Sequence, residues 1–277
     1  MILITTPNGK VGSEVVKQLQ ARGEALRIGA HTVSKARAAF PGAEVVHFDF
    51  ADESSVRAAL QGVSKLYLAS PTGIEAAPVN RVIDLAKEAG VEHIVRLSAM
   101  GVEYGDSPLR QNELHLEASG LSWTLLRPSW FMQNFSTMSA DGIRQGTLAE
   151  PAADGATAFV DARDIAAVAV AALTEPGHHG KAYAITGPEA LGRDQVAQKL
   201  TAAIGHPVHY QPLTPEQFEA GMRAMGAPEA VVELMSGLYG FVRAGQTGEV
   251  THDVQQVTGK APISFDQFAR EHADAWR

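Results

Sequence analysis

The feature that most constrains this chain is the rhythm of its first half, where short aliphatic or β-branched runs alternate with longer stretches of helical periodicity. Residues 2–5 read as a strand, and residues 11–22 as a helix with Val11, Val15, Val16 and Leu19 on one face. The pattern continues through strands at 25–30, 44–48, 65–69, 93–97 and 123–127. Between them lie helices at 34–40, 53–61, 76–89 and 108–119, punctuated by Pro41-Gly42, Gly62, Gly90 and Gly120. Six strands with crossover helices predict an α/β fold, a doubly wound parallel sheet that takes its ligands outside the carboxyl ends of the strands.

The second half is less regular. Helices are predicted at 161–173, 193–204, 228–243, 253–258 and 264–276, and strands at 181–186 and 207–211. Thr214-Pro215-Glu216 sets a capping residue, a proline at the first helical position and an acid in the first turn of another helix. We expect residues 1–150 to form the sheet domain. Residues 151–277 would be mainly a smaller α+β lobe for substrate, with elements returning to the sheet.

Composition narrows the chemistry. The 277 residues contain no cysteine, which removes disulfides, thiolate metal ligands and thiol nucleophiles together. A net charge of -8 offers no basic field for a phosphate backbone, so the expected partner is a small molecule and not nucleic acid. The longest strongly apolar run, 166–173, is far shorter than the ~20 residues that cross a bilayer, and residues 1–9 lack a signal-peptide pattern. The expectation is a cytoplasmic protein without membrane contact, monomeric or a homodimer, and without a metal.

Thr6-Pro7-Asn8-Gly9-Lys10-Val11-Gly12 follows the first strand and opens the first helix. A phosphate-binding turn needs this setting: the helix start offers N–H donors, Gly9 admits close approach of a pyrophosphate, and Gly12 lets helix and strand pack. The segment after the second strand, Gly29 to Lys35, holds no acid to accept from a ribose 2′-hydroxyl. Instead it presents His31, Thr32, Ser34 and Lys35, which can donate to a 2′-phosphate, or which form a solvated loop. The expected cofactor is NADP(H) in preference to NAD(H).

Several stretches together resemble the NmrA-like atypical short-chain dehydrogenases. Residues 5–12 resemble the TGxxGxxG turn of that family, and Phe48-Asp49-Phe50 its segment near the adenine. Residues 89–98 are similar to its A-G-V-K-H-I-V-x-L-S stretch, 126–135 to its L-R-P-x-x-F-M-x-N segment, and 159–166 to its F-I-D-x-R-D-I-A. The tail resembles the festuclavine-dehydrogenase and azo- or quinone-reductase members. The resemblance implies a Rossmann fold, with cofactor contacts from Thr6, Asn8, Gly9, Lys10, Val11, Gly12, His31, Thr32 and Lys35. Further contacts would come from Asp49, Phe50, Ala69, Ser70, Pro71 and Ser98.

Two departures stand out. Thr6 replaces the first glycine of the turn. Gly105 and Leu109 stand where related enzymes carry the Tyr and Lys of Tyr-x-x-x-Lys, with Tyr104 one residue off. Tyrosine donates a proton near neutral pH only where a neighbouring cation lowers its pKa of about 10, so the usual dyad has no counterpart here. Ser98 and Tyr104 remain as catalytic candidates, Ser98 either orienting a carbonyl or serving as a strand-end hydroxyl. Met100, Trp130, Phe131, Met132 and Asn134 are the substrate-binding candidates; Trp130 to Met132 either wall a flat acceptor or bury a joint between lobes.

His115 reads as a proton donor or a packed histidine, and His178-His179 as a turn. Asp161, Arg163 and Asp164 read as a cap and local ion pair, and the Met-rich late helices as core, lid or oligomer face. Two functions follow. One is an NADPH-dependent reductase of small, largely apolar electrophiles such as quinones, iminium ions, enones or azo compounds. The other is a non-catalytic redox-sensing regulator of the NmrA type.

Overall fold

The computed structural model describes residues 1–277, which fall into two units. The first comprises Met1–Pro128, Ala162–Ile185 and Asp253–Lys260. Its strands are β1 (Ile2–Thr5), β2 (Leu26–Ala30), β3 (Glu44–His47), β4 (Lys65–Leu68), β5 (His93–Leu97) and β6 (Ser122–Pro128). Between them run α1 (Lys10–Ala21), α2 (Val33–Ala39), α3 (Glu53–Ala59), α4 (Ala76–Glu88) and α5 (Pro108–Ala118). The chain then leaves the unit for residues 129–161, which carry α6 (Ala140–Arg144) and β7 (Thr147–Glu150). It returns as α7 (Ala162–Thr174) and β8 (Lys181–Ile185).

The sheet is wholly parallel, in the order β3-β2-β1-β4-β5-β6-β8. The sheet grows outward from β1 in one direction and from β4 in the other, so the strand order reverses between these two. Crossovers diverge there and leave a crevice at the carboxyl ends, the ligand position of this architecture. Residues 181–185 lie beside β6 as a seventh strand of this sheet, which the aliphatic pattern alone could not reveal, since it gives a strand but not its neighbour.

Leu3, Leu66, Leu68, Ile94 and Leu125 from the strands pack with Val79, Val82, Ile83 and Ala86 of α4 in one apolar cluster. On α7, Ile165, Ala166, Val168, Ala169, Val170, Ala171, Ala172 and Leu173 are all buried. The alanines allow it to lie against α1, where Gln18 Nε2 donates to Arg163 O at 3.0 Å.

The second unit comprises Ser129–Asp161, Thr186–His252 and Ala261–Arg277. Its helices after α6 are α8 (Arg193–Ile204), α9 (Pro215–Ala224), α10 (Glu229–Arg243) and α12 (Phe265–Glu271); α11 (Asp253–Thr258) belongs to the first unit. β9 (His209–Pro212) pairs in parallel with β7. Thr214 caps α9 reciprocally with Gln217, as the sequence around Pro215 leads one to expect.

An aromatic core holds this unit together. The Phe135 ring lies 5.0 Å from Phe159 and 5.2 Å from Phe265, and Phe268 lies 6.0 Å from Trp276, with near-perpendicular faces. Trp276, fully buried, donates its Nε1–H to Phe135 O at 2.8 Å and so ties the end of the chain to residue 135. Trp276→Ala removes both packing and an N–H partner. It should cost about 3–5 kcal/mol, read as a lower thermal unfolding midpoint.

Candidate functional site

The turn after β1 is the most constrained point of the first unit. Thr6 has φ +48°, in the left-handed region, and its carbonyl accepts from Gly9 N at 3.0 Å. Glycine adopts that conformation freely, whereas a residue with a Cβ gives up about 1–2 kcal/mol. Thr6 thus holds, at some strain, a backbone conformation that glycine would adopt freely. The same carbonyl fixes the next position: a Cβ on Gly12 would sit 2.2 Å from Thr6 O, far inside contact distance. Gly9 caps α1 with no side chain to occupy the first-turn amides.

Thr5 ties this turn to the neighbouring strand across the point where strand order reverses. Its Oγ1 donates to Ala69 O at 2.7 Å, and Ala69 N donates back at 2.9 Å. The turn and Ala69-Ser70-Pro71 are thereby held as one edge. Beneath it Arg96, buried on β5, donates to Leu68 O, Ser70 Oγ and Asn112 Oδ1 at 3.1, 3.0 and 3.2 Å. Burial pushes the Arg96 guanidinium down to about 10, still protonated at neutral pH. Burial likewise holds the Lys10 ammonium below its ordinary value.

At the end of β2, His31 is exposed, and its Nε2 lies 3.7 Å from Asp49 Oδ2. The fold therefore brings an acid from after β3 beside a loop whose own sequence contains none. Thr32 and Lys35 are exposed around it, and Phe48 packs edge-on against Phe50 at 5.1 Å. Arg27 points to the other end of β2, where it pairs with Glu44 and donates to Ala59 O and Gln61 O. A dinucleotide fits this edge on two observations: first-turn amides of α1 that no capping side chain occupies, and exposed donors at the end of β2.

The catalytic candidates separate. Tyr104 is 89% exposed, in a short 3-10 turn flanked by Gly101 and Gly105. Ser98 is buried beside the Glu113 carboxylate, without a well-formed hydrogen bond from its Oγ. Met100 is half-buried, its N–H donating to Pro128 O.

Glu113 is the residue that sequence reading overlooks. It is fully buried on α5, where Arg127 Nε and Nη2 reach its two oxygens at 3.0 and 2.8 Å and Arg110 adds a third contact at 2.9 Å. Burial alone would raise its pKa, but the hydrogen bonds from Arg127 and Arg110 and the Ser98 hydroxyl beside it outweigh that and leave it below the ordinary carboxylate value. It stays ionised and cannot serve as a proton donor.

In the second unit, Trp130 and Asn134 line a common cavity. Phe131 forms a bridge with Val160, and Met132 is 1% exposed in the aromatic core. Asp161 is buried and accepts from Gln133 Nε2. His115 pairs with Asp84, and His178 and His179 bond to Tyr183 and Ser122. No helix is long and apolar enough to cross a membrane.

Comparison with known proteins agrees with this geometry. Residues 7–176 match a family described as NAD(P)H-binding. The chain is 37% identical to an NAD(P)H azoreductase of Xenophilus azovorans, covering 100% of this chain and 99% of the relative. It is 34% identical to an agroclavine dehydrogenase of Claviceps fusiformis, covering 99% and 98%. The structure of an NADPH-dependent quinone oxidoreductase from Escherichia coli in complex with NADPH superposes with a TM-score of 0.88 at 28% identity, covering 98% and 99%. The chain belongs to the NAD(P)H-binding, NmrA-like atypical short-chain dehydrogenase family. Within it, the fold is the expected doubly wound Rossmann sheet.

Two outcomes follow. Gly12→Ala should weaken NADPH binding at least about tenfold by displacing the Thr6 carbonyl, measured by quenching of intrinsic fluorescence. Glu113→Gln should cost about 3 kcal/mol at neutral pH by leaving Arg127 and Arg110 without their carboxylate. Because the folded pKa of Glu113 is depressed, its stabilisation is present above the unfolded value of about 4.3 and is lost as pH falls through the folded one. The gap between wild-type and variant melting temperatures should therefore close in acid.

Proposed function

We propose that this protein is an NADPH-dependent reductase of small, largely apolar electrophiles that are already activated: quinones, iminium ions, conjugated enones or azo compounds. The observation that carries the reading is the set of residues around Ser98. Gly105 and Leu109 supply neither phenol nor ammonium, Tyr104 stands in solvent, and Glu113 is locked in ion pairs. No group there is suited to protonate an unactivated carbonyl, a contribution worth about 10²–10⁴ in rate. An acceptor whose electron demand is built in needs orientation and exclusion of water instead.

The cofactor would supply the hydride. Gly9 would admit its pyrophosphate to the start of α1, Gly12 lets that helix pack against the Thr6 carbonyl, and His31, Thr32 and Lys35 would donate to a 2′-phosphate. Asp49 Oδ2 stands 3.7 Å from His31 Nε2 at the same edge. Two relatives named for different acceptors, an NAD(P)H azoreductase and an NADPH-dependent quinone oxidoreductase, share a nicotinamide donor in their names, which supports the reading.

The test is steady-state consumption of NADPH with each acceptor class against a simple unactivated ketone. Activated acceptors should exceed the ketone by about 100-fold or more in kcat/KM. NADPH should exceed NADH about tenfold, and Lys35→Ala should erode that preference. Tight NADPH binding with no turnover of any activated acceptor would contradict the proposal.

A further inference from the structure

Two arginines are fully buried, and their surroundings differ. Arg193 has a carboxylate, Glu150, at 2.8 Å. Arg96 has none at contact: it donates only to neutral oxygens, Leu68 O, Ser70 Oγ and Asn112 Oδ1, and its Nε has no partner. The groups that face it do not cancel the charge. Tyr67 of β4 is buried, which keeps its phenol protonated. Glu113 of α5 is near enough to favour the cation, but both its oxygens are engaged by Arg127 and Arg110. A buried cation of this kind burdens the fold unless something outside it supplies the counter-charge.

Its position shows where that counter-charge can come from. Arg96 stands beside Leu68 in the pairing of β5 with β4, and it reaches Ser70 just past the carboxyl end of β4. Ala69, the residue before Ser70, exchanges two hydrogen bonds with Thr5. Thr5 in turn precedes the carbonyl that accepts from Gly9 at the start of α1. The buried cation and the first-turn amides of α1 thus border the same crevice, one from the β4 side and one from the β1 side.

Ser70 connects the charge to the crevice. Its Oγ accepts from Arg96 Nη2 at 3.0 Å and the residue is partly exposed, so its own O–H remains to donate. A hydroxyl that accepts from a guanidinium is polarised into a better donor. The other arm of the guanidinium runs away from the crevice, to Asn112, whose Nδ2 donates to Ala76 O and Asn80 Oδ1 at 2.9 and 2.8 Å. That arm ties α5 to α4 and carries no charge, so bracing and charge can be separated by substitution.

We infer that Ser70 and Arg96 form a second wall of the pyrophosphate site, facing the glycine turn: the Ser70 hydroxyl donates to a phosphate oxygen, and Arg96 acts behind it as a positioning residue whose buried charge favours the anion. The inference rests on the dinucleotide reading of this edge and not on the choice of acceptor. Burial leaves the Arg96 charge little screened by salt or water, so it acts on a phosphate that it does not touch.

The test is calorimetric titration of the full chain with NADPH and with adenosine 2′-phosphate, which shares the adenosine and its 2′-phosphate but lacks the pyrophosphate. Arg96→Met should weaken NADPH binding about tenfold or more, and Ser70→Ala several-fold, while both variants bind adenosine 2′-phosphate as the wild type does. Asn112→Ala should lower the thermal unfolding midpoint and leave NADPH affinity within about twofold, because it removes the brace and keeps the charge. If Arg96→Met does not fold, Ser70→Ala, at a partly exposed position, carries the test with Asn112→Ala. Unchanged NADPH affinity in Ser70→Ala, equal losses for the two ligands, or a loss in Asn112→Ala as large as in Arg96→Met would overturn the inference and leave the dinucleotide reading standing. A wild-type chain that binds no dinucleotide would remove both.

Discussion

The first unit is organised around the close approach of the Thr6 carbonyl to Gly12. That carbonyl occupies the space of a side chain at the start of α1, accepts from Gly9, and holds Thr6 itself in a left-handed conformation. With helix and strand that near each other, the first-turn amides face the carboxyl edge of the sheet, and the Thr5 to Ala69 pair of hydrogen bonds fixes β4 beside it. The reversal of strand order between β1 and β4 then opens the crevice where this family binds its nucleotide. The strain at Thr6 is modest and local, and the two hydrogen bonds of Thr5 lie directly next to it.

Buried charge is placed where it fixes geometry. Arg96 braces the β4 edge through three acceptors, and Glu113 gathers Arg110 and Arg127 under the end of β5. In the second unit Glu150 and Arg193 hold β7 against α8. Each such pair is costly to desolvate and costly to break, which gives these positions one arrangement instead of several. Glu113 is kept ionised by its guanidinium partners, so it offers no acid for proton transfer. In the proposed function the chemistry is hydride delivery into acceptors that need no such help.

The doubly wound sheet was legible because parallel strands buried on both faces leave near-continuous aliphatic runs, and Gly90 and Gly120 mark the helix ends that separate them. The glycine turn was legible for the same local reason. What escaped was whatever depends on distant segments meeting. Residues 181–185 look like any edge strand until β6 is their neighbour. Glu113 looks like a helix surface residue until Arg127, 14 positions away, reaches it. Asp49 enters the His31 loop only through the pairing of β2 with β3. Tyr104 and Ser98 are near in sequence, yet burial divides them, since two glycines flank the turn that carries the tyrosine out to solvent.

The proposed function stands or falls on direct hydride transfer to carbon without the Tyr104 phenol. The measurement that addresses it is transfer of deuterium from NADPH labelled at the nicotinamide C4 into a reduced iminium acceptor, read by mass spectrometry of the product. The account predicts that one face of the nicotinamide delivers its label to carbon. It also predicts that the transfer persists in Tyr104→Phe, because the exposed phenol takes no part in it. Product that carries no deuterium, or transfer that vanishes with Tyr104→Phe, would contradict it.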